Sequence, residues 1–261
     1  MAAIAAAALL FIAFIWVSGR LPSFAIRADV IVSMAIGVAL LGVMVGAAVT
    51  ARPSTRAMFV AAGIGLACAV AGTVVNVVAV SDLGKIAFGA GVGYWLGTTL
   101  TELTDDLRVI VVLALAAGVF DAASVFLPQG PTHLLLTKAP QTVTYFVVAF
   151  PTMGYAVRDA YSGLGTTDVL FFTLYLAAAV GFGLRVRLTL VAMVASFVAT
   201  VTIALYSRAL PALPLLSLAF LAANADLIAR RWTPPPAGGT MPSDETMPPD
   251  ETATPGGPPT P

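Results

Sequence analysis

The chain has 261 residues, 59% of them hydrophobic and 10% charged, with a mean hydropathy of +0.96. That composition excludes an ordinary soluble domain, in which about a quarter of the residues are charged. Thirteen basic residues balance thirteen acidic ones, so the charge gives no hint of a nucleic-acid partner.

Runs of about 20 apolar residues read as membrane-spanning helices. Eight stand out along the chain, at residues 2–17, 30–50, 57–80, 86–101, 109–127, 160–183, 188–206 and 210–228. The expected fold is an all-α polytopic membrane protein of about eight transmembrane helices, embedded in the lipid bilayer of the cell membrane. Segment 2–17 resembles a signal peptide in length, but nothing basic precedes it and Trp16-Val17-Ser18 is a poor cleavage site, so it reads as a span. Residues 1–108 look like a scaffold of about four spans. Residues 109–232 form a second region of about four. Beyond Arg230-Arg231-Trp232, residues 233–261 are rich in Pro, Gly, Thr, Ser and acidic residues, and too poor in apolar surface to fold. They read as a disordered tail.

Within the scaffold, Gly89, Gly93 and Gly97 recur every fourth residue, as do Gly42 and Gly46. Small residues at that spacing let helix backbones approach closely in lipid. The run from Gly89 to Gly93 lies inside a span with no strand before it, so packing fits it better than phosphate binding. Asn76 falls in the third span and is expected to bond to a neighbouring helix. Asp29 and Asp82 are expected where helices begin. Glu102, Asp105 and Asp106 are expected to be a solvated run, and Asp226 an interfacial partner of Arg230.

Two lone carboxylates interrupt consecutive apolar segments. Asp121 lies seven residues before Pro128-Gln129-Gly130-Pro131, and Asp168 lies eight residues into segment 160–183. At about 1.5 Å per residue, both would sit roughly 10–12 Å below the same membrane face. An acid at that depth is expensive and calls for a partner or a function. Two nearby carboxylates cannot both ionise easily, so they share a proton. One can then act as general base on water while the other donates to a carbonyl. The same acids also suit a proton relay, or simple hydrogen bonding to hydroxyls on other helices. The loop between them, residues 142–150, is rich in β-branched and aromatic residues and favours a strand. Such a strand, Val147 and Val148 included, suits either pairing with an extended peptide or an interfacial plug. His133 is the single histidine, which rules out a His-Glu-x-x-His zinc site and leaves Ser162 without a plausible base. The lone Cys68 carries no redox information, and no zinc, nucleotide or haem is indicated.

Three motifs in order resemble the presenilin and signal peptide peptidase family of intramembrane aspartyl proteases. Phe120-Asp121, followed by Pro128-Gln129-Gly130-Pro131, is similar to that family's Tyr-Asp segment and its Pro-x-Gly-Pro turn. Ser162-Gly163-Leu164-Gly165-Thr166-Thr167-Asp168 resembles its Gly-Leu-Gly-Asp segment. Pro211-Ala212-Leu213 resembles its Pro-Ala-Leu motif. The resemblance implies that Asp121 and Asp168 activate water to cut a transmembrane protein or peptide substrate. It also implies that Gly165, Pro211, Ala212 and Leu213 shape the substrate site, and that the loop strand pairs with the substrate.

The chain departs from the family in three places. Thr167 stands where the family has glycine directly before its second aspartate. Keeping Asp168 as the acid makes Gly165 the first glycine of the motif. The other register would put Thr166 in the catalytic place and predict an inactive protein. Phe120 lacks the family's tyrosine hydroxyl, and eight spans stand against the family's nine. Orientation stays open: Arg230 and Arg231 favour an inside tail, the family an outside one.

Overall fold

The computed structural model describes residues 2–154, 163–206 and 210–232. Four helices open the chain: α1 (Ala2–Ser18), α2 (Ile26–Thr50), α3 (Thr55–Val74) and α4 (Val78–Leu103). Helix α5 (Leu107–Phe126) follows, then the short α6 (Pro131–Lys138) and α7 (Pro140–Val143). Strands β1 (Val147–Ala149) and β2 (Gly163–Gly165) lead into α8 (Thr166–Gly181), α9 (Val186–Tyr206), α10 (Ala212–Ala223) and α11 (Ala225–Trp232). Among the described residues the architecture is all-α apart from that two-stranded antiparallel ribbon.

Among the described residues, four segments are long and apolar enough to cross a membrane: α2, α3, α9 and Leu107–Lys138, which contains α5 and α6. The bent pair α10–α11 makes a fifth if it counts as one span. Helices α1 and α8 are apolar but shorter, while α4 is long but glycine-rich and carries Asp82 and Lys85. Large apolar side chains face outward along several helices, including Leu9, Phe59, Ile64, Val112, Val119 and Val191. Such a surface is a liability in water and the natural lining of a helix in lipid. The tail expected at 233–261 lies outside the described residues, as does Ser162.

Helix α4 is the spine. On one side its Gly84 and Gly91 meet Gly65, Ala69 and Ala62 of α3 at backbone distance. On another side Gly89 and Gly97 leave room for α8: a methyl at Gly89 would lie 2.9 Å from the Thr166 carbonyl, and one at Gly97 2.7 Å from that of Leu174. Gly93, between them, would press on the Leu170 carbonyl. The four-residue glycine spacing thus does the packing expected of it. Gly42 and Gly46 likewise receive Val194 and Leu190 of α9.

Several local expectations are corrected. The third segment does not run to residue 80, because the chain turns between α3 and α4 at Asn76, with φ 60°. Asparagine tolerates that left-handed conformation better than β-branched residues do. Asn76→Val is therefore expected to cost about 1–2 kcal/mol and Asn76→Gly much less, measured as shifts in the denaturation midpoint. Asp82 does not begin a helix either. It is the fifth residue of α4, only 1% exposed, and pairs with Lys85 at 3.0 Å. Removing Lys85 alone would strand a buried carboxylate, at about 3–5 kcal/mol. Asp29 does sit at a helix start, accepting from the Ser23 hydroxyl at 2.7 Å and the Phe24 N–H at 3.2 Å. Glu102, Asp105 and Asp106 are exposed as expected, and Asp106 caps α5 through the Arg108 N–H at 2.9 Å.

The last segment breaks at Asn224, where α10 and α11 meet at 68°. The buried Asn224 amide explains the break. It donates to the Phe220 carbonyl and the Thr189 hydroxyl, and accepts the Arg185 N–H at 3.0 Å. Asp226 then pairs with Arg185 at 2.7 Å rather than with Arg230, because the bend carries it toward the α8–α9 turn.

Candidate functional site

Three helices converge where the two lone acids lie. Helix α5 supplies Asp121, one and a half turns before its end; α8 supplies Asp168; and α10 brings its N-terminus against α5. There Gly118 faces Pro214, whose Cα would be 3.3 Å from a methyl at that glycine. Tyr175 stacks on Phe220 with ring centres 4.9 Å apart, and its hydroxyl meets that of Ser217 at 3.0 Å. Tyr175 is two turns beyond Asp168, and Ser217 is one turn beyond Leu213. This buried contact therefore fixes α8 against α10 close to both acids.

Pro211 occupies the N-cap of α10 in an extended conformation, so the first N–H groups of that helix have no partner within it. One of them serves Asp121: the Leu213 N–H donates to its Oδ2 at 3.1 Å. The positive end of the α10 dipole thus faces a carboxylate. Leu213 is buried and Ala212 half-buried. Phe120, next to Asp121, is 75% exposed and turned outward.

Asp168 is held by a related device. Helix α8 begins at Thr166, not near residue 160 as the hydrophobic segment suggests, so Asp168 is its third residue rather than the eighth. The cause is local. Gly163 and Gly165 are poor helix formers and pair with β1, and the Val147 side chain fills the space a Cβ on Gly163 would need. The Gly165 N–H donates to Asp168 Oδ2 at 2.9 Å.

Asp168 and Asp121 are close enough for the charge of one to act on the other. Both side chains are half-buried. Thr166, the alternative occupant of the catalytic place, bonds instead through its hydroxyl to the Phe146 carbonyl at 3.0 Å. Thr167 is exposed.

The loop strand is shorter than expected. Residues 140–143 form a helical turn, and only Val147–Ala149 are extended. Val147 pairs with Gly165, Val148 with Leu164 and Ala149 with Gly163. Val148 is fully buried and Val147 half-buried. The Thr166 N–H donates to the Phe146 carbonyl at 2.8 Å. By the alternation of antiparallel ladders, Val148 then faces β2 with its backbone groups, and those of Val147 and Ala149 face the other way. On that outer side the Lys85 ammonium takes the Val147 carbonyl at 2.7 Å and the Thr144 carbonyl at 3.0 Å. The β1 edge is thus covered by α4. Beside it lies an apolar cleft of about 390 Å³, lined by residues that include Leu66, Phe88, Phe146 and Thr167.

The sequence alone does not reveal the partners of the acids, which are backbone N–H groups of Leu213 and Gly165. Neither does it reveal the link from Lys85 to β1. A lysine three residues after an aspartate in an otherwise apolar stretch is the one signal for that link.

Among the described residues the fold is an all-α bundle with four helices, or five counting the bent pair, long and apolar enough to cross a membrane, and with two carboxylates each held by a backbone N–H at a helix N-terminus. Compared with models of protein families, with curated proteins and with solved structures, the chain matches none.

Proposed function

We propose that this chain is an intramembrane aspartyl endopeptidase, a multi-pass protein of the cell membrane with about eight spans in a presenilin-like bundle. It would cleave transmembrane segments of membrane proteins, or remnant signal peptides. What supports the reading is the placement of Asp121 on α5 and Asp168 on α8 near enough for one charge to act on the other, each held by one backbone N–H. Each carboxylate gives one oxygen to that amide and keeps the other for chemistry. The ionised member takes a proton from water as the water oxygen attacks the scissile carbonyl carbon, and the protonated member donates to the carbonyl oxygen, giving a diol. The C–N bond then breaks as the first acid passes its proton to the leaving nitrogen and the second recovers its own from the diol. A helix cannot be cut while its carbonyls are bonded internally, so the substrate must be held extended. Among the described residues the β1 edge is covered, so pairing with an unwound segment falls to the outer edge of β2, through Gly163 and the Gly165 carbonyl, the Gly165 N–H being held by Asp168.

Gly165→Ala tests how closely that acid is positioned. Its methyl would lie 2.9 Å from Asp168 Oδ2, while a φ of −61° suits alanine well. Cleavage of a membrane-spanning reporter is expected to fall on the order of 10²-fold, with little change in melting midpoint. Full activity would argue that the carboxylate does not work from this position.

A second reading has its own support. Asp168 occupies the third position of α8 and accepts the N–H of its cap, as a purely structural acid does. On that basis the chain would be a catalytically inactive presenilin-like protein, or a proton-coupled carrier using the same acids. Labelling by an aspartyl-protease transition-state analogue, lost in Asp121→Asn, supports the protease. Proton flux that needs Asp121, with no labelling, supports the carrier.

A further inference from the structure

A lysine in the interior of a membrane bundle needs an explanation, and Lys85 is 8% exposed. Its ammonium has three acceptors: Asp82 Oδ1 at 3.0 Å, the Thr144 carbonyl at 3.0 Å and the Val147 carbonyl at 2.7 Å. Three donors meet three acceptors, so the group is saturated and is not waiting for a ligand. Two of those acceptors belong to the approach to β1 and to the first residue of β1 itself. The charge of the ammonium makes these bonds stronger than neutral ones.

The consequence runs through the backbone. Val147 is the register partner of Gly165, which is at once the last residue of β2 and the N-cap of α8. The N–H of that same Gly165 holds Asp168. A connected path therefore leads from Lys85 to Val147, across the ribbon to Gly165, and on to the carboxylate. Strands this short cannot maintain such a ribbon unaided, since isolated two-strand pairings are marginal. A fixed anchor on α4, itself locked to α8 by Gly89, Gly93 and Gly97, supplies what the ribbon lacks.

We propose that Lys85, neutralised by Asp82, is a positioning residue that clamps β1 to α4 and thereby sets the ribbon and Asp168 relative to it. The clamp stands on the geometry alone; its effect on cleavage rests on the protease reading above.

The test uses the full chain in lipid, with Cys68→Ala to remove the native thiol and Val148→Cys as reporter. Val148 has no exposed surface, so the new thiol is expected to resist a membrane-permeant maleimide. Lys85→Met alone leaves Asp82 buried and charged and is expected to misfold, so the informative variant is Asp82→Asn with Lys85→Met. Labelling of the reporter thiol should then accelerate at least about tenfold, as expected when a buried strand gains access to local opening. Asp82→Asn alone keeps the ammonium on both carbonyls and should leave that thiol protected. Protection that persists in the double variant, or that is lost equally in Asp82→Asn, overturns the proposal. On a cleaved reporter the double variant should lower kcat more than it raises KM, because Asp168 shifts with the ribbon, and should spread cleavage over several neighbouring bonds. An unchanged kcat and product pattern would remove Lys85 from the positioning of Asp168. Absence of any cleavage by the parent protein would count against the protease reading and leave the thiol result to decide the clamp.

Discussion

Asp121→Asn is expected to abolish cleavage of a membrane-spanning reporter, and Asp168→Asn to do the same, while both proteins still insert and fold. The physical ground is that asparagine keeps the size of the side chain and one oxygen to accept the Leu213 or Gly165 N–H. It cannot exchange a proton. General acid or base catalysis contributes roughly 10²–10⁴-fold, so losing one member of the pair should bring activity to background. The two losses should not add, because either variant already removes the shared proton on which the mechanism depends. Folding should respond differently. Each carboxylate is desolvated near another acid, so neutralising one is expected to leave thermal stability unchanged or raise it. Reporter cleavage and melting midpoint, measured on the same preparations, separate the two effects. A variant with full activity rules out the assignment.

Gly93→Leu is the second change with a large expected effect, and it acts from outside the site. The backbone of α8 lies so close to Gly93 that any side chain there would meet the Leu170 carbonyl, with Thr173 Cβ 3.0 Å away. A carbonyl in a helix cannot swing aside as a side-chain end can, so α8 must shift as a body. Overpacking of this kind costs about 1–3 kcal/mol, which corresponds to several degrees in midpoint for a chain of this size. The displaced helix also carries Asp168 away from Asp121. Activity should therefore fall by more than the loss of folded protein explains. Gly63 is the control, because a methyl there would meet nothing within 4 Å beyond the backbone of its own helix, and Gly63→Leu should alter neither quantity. Equal behaviour of the two variants would mean that the α4–α8 contact does not govern the site.

How far the structure is legible from the sequence differs from element to element. Hydrophobic runs locate the helices, and the four-residue glycine spacing identifies the packing face of α4, because both are local patterns with one physical cause. The Pro211-Ala212-Leu213 motif points to the neighbourhood of Asp121, although the contact itself is made by a backbone N–H that nearly any residue would supply. Boundaries are less legible. Continuous apolar character hides the turn at Asn76 and the bend at Asn224, each set by one polar residue within a hydrophobic stretch. It also hides the start of α8, where Gly163 and Gly165 yield to strand pairing with Ala149 and Val147, far upstream. The Asp82–Lys85 pair is least legible of all. Its role depends on the Thr144 and Val147 carbonyls, and side-chain patterns carry no record of which distant carbonyl an ammonium will meet.

Cysteine cross-linking probes directly whether the two acids face one another. In a Cys68→Ala background, Asp121→Cys with Asp168→Cys should be joined within one chain by a short bifunctional thiol reagent. Phe120→Cys with Asp168→Cys should not, because Phe120 turns outward. Cross-linking through position 120 in preference to 121 would put the first acid on the wrong face of α5 and contradict the account.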